Sequence, residues 1–90
     1  MAKAQRLFER IRNNPEDVRF SDICKMAESF GFTYKGGKGS HKVYIRKDIE
    51  EILNFQNVKG KAKPYQVRQF LKIIEEHELK LKEEQKCITR

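Results

Sequence analysis

Ninety residues allow one small domain with a modest core and little room for a deep pocket. With 20 Lys and Arg against 13 Asp and Glu, the formal charge is +7, which calls for an anionic partner and suits a phosphate backbone. No apolar run approaches a membrane span and no signal peptide opens the sequence, so no membrane partner and a cytoplasmic location are expected.

Ala4, Leu7, Phe8 and Ile11 recur at helical spacing, predicting an amphipathic helix over about residues 2–13 with an Arg/Lys outer face. Asn14-Pro15-Glu16-Asp17 has a cap, a first-position proline and acids behind it, the pattern of a short helical turn. Val18 and Phe20 read as its apolar anchors. Ser21 is the expected N-cap of a second helix, with Asp22 favourable at its positive end. Ile23, Met26, Ala27 and Phe30 make the buried stripe of that helix, and Gly31 its stop.

Phe32, Thr33 and Tyr34 read as a first strand, and Gly36-Gly37-Lys38-Gly39-Ser40 as a tight turn. A second strand is expected over 41–46, where Val43, Tyr44 and Ile45 are β-branched or aromatic. A third covers roughly 51–56, with Asp48–Glu51 fitting either a strand or a helical turn. Asn57 to Lys63 reads as a basic loop. Pro64 opens the last helix, striped by Val67, Phe70, Leu71, Ile74 and later Leu81. Lys82 to Arg90 has little periodicity and is expected to fray, leaving one domain over 1–82 and a tail over 83–90. The order helix, helix, three antiparallel strands, helix is an α+β arrangement of two layers.

Cys24 and Cys87 match no zinc spacing; Cys24 reads as a small buried hydrophobe and Cys87 as a residue of the tail. His77 has only Glu75, Glu76 and Glu78 near it on its helix and reads as a solvated histidine. No metal and no other cofactor is indicated.

Basic side chains concentrate between residues 35 and 68, as Lys35, Lys38, Lys42, Arg46, Lys47, Lys59, Lys61, Lys63 and Arg68. An acidic segment over 75–84 makes this surface one-sided, and Lys59, Lys61 and Lys63 lie where a helix N-terminus attracts phosphate. Tyr34, Tyr44 and Tyr65 offer rings for unpaired bases. Tyr34 and Tyr65 are expected to half-bury with wet hydroxyls, while Tyr44 fits either role.

His41 stands at the start of the second strand, and histidine changes charge near neutral pH. Cutting RNA without a metal needs a base for the 2′-OH proton, a cation for the phosphate oxygens and an acid for the leaving oxygen. His41 fits the base, and Lys38, Lys42 or a backbone N–H of the turn fits the cation. The turn holds no paired carboxylates of the kind two-metal nucleases use. Alternation puts His41 on the side of Val43 and Ile45, expected to face the helices at the sheet's rim. A hairpin turn with a solvated histidine fits the same residues, and both readings stay open on this stretch alone.

Gly39-Ser40-His41-Lys42-Val43-Tyr44, behind a helix ending Phe30-Gly31-Phe32, resembles the HicA family of bacterial type II toxins. The resemblance continues in Asn14-Pro15-Glu16-Asp17-Val18-Arg19-Phe20 and in Lys63-Pro64-Tyr65-Gln66-Val67-Arg68-Gln69-Phe70-Leu71, and covers roughly residues 3–80. It implies a double-stranded-RNA-binding-like fold and an mRNA interferase, an endoribonuclease that cuts transcripts and halts translation. The family's functional histidine maps onto His41, with Gly39 and Ser40 beside it at the RNA. A HicB-type antitoxin that covers the site is the implied partner, with DNA reached only through the antitoxin complex. Many relatives carry a second polar or aromatic residue after the histidine; Lys42 stands there, and the general acid is unassigned. Two other functions fit the residues: a non-catalytic RNA-binding module on the same basic face, and an interaction protein whose basic face meets an acidic protein.

Overall fold

In the computed structural model, which describes residues 3–81, the second and third of three helices pack on one face of a four-stranded antiparallel sheet and the first packs against the second. The elements are α1 (Lys3–Asn13), α2 (Phe20–Ser29), β1 (Thr33–Gly36), β2 (His41–Arg46), β3 (Ile49–Val58), β4 (Lys61–Ala62) and α3 (Pro64–Glu76). The strand order is β1-β2-β3-β4. This is the double-stranded-RNA-binding-like α+β architecture expected, with one strand more. The domain limit at residue 82, the tail expected to fray and Cys87 lie outside the described residues.

The added strand falls inside the expected basic loop. Lys59 and Gly60 take positive φ (53° and 86°), so they form a two-residue hairpin turn whose twist matches the flanking strands. Val58 then pairs with Lys61 and Asn57 with Ala62. A lysine is an uncommon choice for positive φ, which is why the hairpin is hidden in the sequence. Asp48–Glu51 resolves as strand: Arg46 pairs with Ile49 across Lys47 and Asp48, and β3 runs longer than predicted.

The second helix begins at Phe20, one residue ahead of its expected cap. Ser21 lies within the helix, and Arg19 stands at the N-cap without a side-chain cap bond. Pairing explains the shift. Ala62 N donates to Val18 O (2.9 Å) and Phe20 N to Gly60 O (3.0 Å), so residues 18–20 seal the edge of β4 and deliver the chain into α2.

Phe70 on α3 is the hub of the core, packing against Phe30, Phe55 and Phe32 at ring separations of 5.9, 6.0 and 6.4 Å in edge-to-face geometry. Phe8 of α1 joins through Phe30 at 5.0 Å. Leu81 is buried as predicted, although not as a continuation of the helical stripe: α3 stops at Glu76 and the chain turns at Glu78 (φ 52°) to bring Leu81 back.

Candidate functional site

Tyr44 decides which way the second strand faces. It is 2 % exposed, packed on Phe55, and paired with Leu53, which is also buried. Its parity puts Lys42, Tyr44 and Arg46 on the helix side and His41, Val43 and Ile45 on the open face of the sheet. The expected orientation of His41 toward the helices is therefore reversed: the larger ring takes the interior and the histidine is exposed to solvent. Burial also removes Tyr44 as a surface for stacking bases.

The backbone around His41 is closely held. His41 N donates to Lys38 O (2.9 Å), closing the glycine turn, and Asn57 N donates to Ser40 O (2.8 Å), tying the turn to β3. At Gly37 a Cβ would fall 2.1 Å from the carbonyl oxygen of His41, so only glycine lets the turn pass this close. Across the ladder His41 faces Gln56. The neighbouring Ser40–Asn57 pair is hydrogen-bonded, so His41 and Gln56 form the alternate kind of pair, in which side chains approach more closely. The outward N–H of Gln56 donates to Oε1 of Gln66 (2.7 Å), the one buried polar side chain among the described residues.

The predicted cations separate into three groups. Lys42 lies on the helix side, its ammonium 5.7 Å from the Phe20 ring centre and 5.6 Å from that of Tyr34, away from the face of His41. Arg46 donates to Phe30 O (2.7 Å) and pairs with Asp48 (2.9 Å), which commits it to the end of α2. Lys61 is paired with Asp17, and Arg68 with Glu16. Lys35, Lys38 and Lys59 are exposed and take no acid partner among the described residues, and Lys63 lies over the Tyr65 ring at 5.9 Å.

A family model described as HicA toxin of bacterial toxin-antitoxin matches residues 20–75, more than half of the chain. The chain belongs to the HicA toxin family. None of the curated proteins and none of the solved structures compared matches it. HicA proteins are the toxins of toxin–antitoxin pairs and in general cleave mRNA. The matched span holds the glycine turn, His41, Gln56, Tyr65 and Gln66, while α1 and residues 14–19 lie before it.

Two further features of this HicA chain depart from expectation. Tyr65 is 59 % exposed rather than half-buried, whereas Tyr34, at 50 %, leans on Tyr44 as a half-buried ring does. His77 is not a free solvated histidine: it ends α3, and its Nε2 lies 3.0 Å from Glu51 Oε1 on β3. A backbone hydrogen bond first, and then His77, hold the Glu51 carboxyl below its ordinary range. Gln56 and Gln66 went unmarked in the sequence, since a glutamine in a strand and another in a helix carry no motif.

A cavity of about 500 Å³ opens between α1, the α1–α2 connection and β4, lined by Arg10, Arg19 and Lys61 with Asp17 and Asp22, and does not include His41. Among the described residues no group of His, Cys, Asp or Glu is placed to hold a metal, and no helix is long and apolar enough to cross a membrane.

Proposed function

We propose that this HicA toxin is a metal-independent endoribonuclease that cuts mRNA with His41 as general base and so inhibits translation. The observation that carries the reading is His41 itself, solvent-exposed on the open sheet face and held at its backbone by the turn Gly37–Ser40. In the reaction the 2′-oxygen attacks phosphorus and its proton passes to His41. The bond to the 5′-oxygen breaks, and that oxygen takes a proton from solvent. Lys38 and the backbone N–H groups of the exposed residues Gly39 and Ser40 hold the charge on the phosphate oxygens. Lys42 is not assigned this part, because it serves the opposite face of the sheet.

Lys35, Lys59 and Lys63 track the RNA backbone beyond the scissile bond, joined by Lys61 and Arg68 once phosphate competes with Asp17 and Glu16. A HicB-type antitoxin that covers His41 is the partner, DNA is reached only through that complex, and the toxin acts in the cytoplasm. The experiment is cleavage of a defined transcript with end-group analysis. A 2′,3′-cyclic phosphate in wild type and no cutting in His41→Ala support the reading; a plain 3′-OH end overturns it. No carboxylate pairs with His41 among the described residues, which favours a non-catalytic RNA-binding module as second reading. Intact RNA with undiminished binding in wild type selects it.

A further inference from the structure

Two aromatic side chains stand open to solvent, and they are held differently. Tyr34 leans on Tyr44 with ring centres 5.7 Å apart and carries Lys42 over it, so the fold uses much of its surface. Tyr65 has no aromatic neighbour among the described residues and is 59 % exposed, the most of any large hydrophobic side chain described. It is nevertheless anchored. Pro64 starts α3 directly before it, and its hydroxyl lies 3.5 Å from Nε2 of Gln66. Gln66 is only 7 % exposed, and its other side-chain atom, Oε1, accepts from Gln56 N. One buried glutamine thus joins the exposed ring to the strand residue paired with His41. The ammonium of Lys63 stands 5.9 Å from the ring centre.

An exposed ring with a cation beside it binds a base by its π-face and the attached phosphate by charge. Only a base outside a duplex presents that face. We propose that Tyr65 is a stacking platform for an unpaired base of the RNA, with Lys63 on the adjoining phosphate, so that single-stranded substrate is selected over duplex. Any part of the platform in cutting rests on the ribonuclease reading; the binding itself does not. Stacking is tolerant of base identity, so the platform selects strandedness rather than sequence.

The test uses the full chain with a labelled single-stranded RNA of about 12 nucleotides and the same sequence as duplex. Affinity is measured in the non-cutting His41→Ala background and cleavage in the His41 background. Tyr65→Ala is expected to weaken single-strand binding about tenfold and leave duplex binding unchanged. Tyr65→Phe keeps the stacking face and loses only the hydroxyl contact to Gln66, so it retains most of the single-strand binding. Equal affinity in Tyr65→Ala overturns the proposal. Equal losses on both RNAs overturn it as well. The two readings fail separately: cutting with an unmoved Kd removes the platform alone, and Tyr65-dependent binding without cutting removes the nuclease alone. Circular dichroism of each variant confirms that a surface change has left the fold intact.

Discussion

Gln66 on α3 holds the backbone N–H of Gln56 at 2.7 Å, at the strand position that faces His41. The donor points away from β2 and lies ahead of the first β3–β4 pair, at Asn57, so the sheet itself offers it no acceptor. Gln66→Leu fills similar space while leaving that donor unpaired, and is expected to lower stability by about 1–3 kcal/mol. Urea unfolding checks the stability. Cutting should fall further than the folded fraction explains, because β3 loosens opposite the histidine. Wild-type cleavage per folded molecule would show that His41 does not depend on this brace.

Gly37 gives a second handle on the same strand. A methyl group there would meet the backbone of His41, whereas at Gly36 and Gly39 it would meet open space with positive φ as the only obstacle. Gly39→Ala should therefore cost about 1 kcal/mol through φ alone. Gly37→Ala should displace the turn, lose cleavage and cost about 1–3 kcal/mol, as strained backbone does. Thermal unfolding beside a cleavage assay of both variants checks this. Equal effects would mean that the close approach to His41 does not matter.

Much of this fold was legible in the sequence, and the rest was hidden for identifiable reasons. Helical periodicity fixed α1 and α3, and the turn glycines with the β-branched run placed β1 and β2. Parity was the failure: His41, Val43 and Ile45 look as fit for a core as Lys42, Tyr44 and Arg46 do. The contest is settled by Tyr44 against Phe55, a tertiary contact. Tertiary pairing also made β4, from a turn at Lys59 and Gly60 that carries little local signal, and it disarmed Lys61 and Arg68 by bringing in acids from more than 40 residues away.

Those acids yield a third prediction. Lys61 holds the Asp17 carboxyl below its ordinary range, and Arg68 takes Glu16. Asp17→Asn with Glu16→Gln frees two cations, so RNA affinity should rise at low salt. The dependence of log K on log salt should also steepen, by about 0.7 for each new phosphate contact on a single strand. A filter-binding titration across salt reads both. The sign in pH follows from the lowered carboxyl. The Lys61–Asp17 contact stabilises the fold above the ordinary aspartate value and is lost as pH falls through the lower folded one. An unchanged salt slope would mean that RNA does not reach Lys61 or Arg68.

At the alkaline end the relevant pair is Cys24 and Tyr44, both in the core. Burial pushes the Cys24 thiol up, against a hydrogen bond from Tyr44 and the nearby charge of Lys42. Burial also pushes up the Tyr44 hydroxyl, with Cys24 adding to the shift. Both groups keep their protons in the folded chain at a pH where the unfolded chain releases them. The folded state binds more protons there, so stability is complete below the unfolded values, about 8.5 for Cys and about 10 for Tyr, and declines as pH rises past them. Cys24→Ala should flatten the first part of the decline and Tyr44→Phe the second, measured as urea midpoints from pH 8 to pH 11. In a Cys87→Ser background, Cys24 should react with a thiol reagent only as fast as the chain opens, since the thiolate is the reactive form. Rapid labelling of the native protein at neutral pH would place the thiol at the surface and take the helix-side packing around Tyr44 with it.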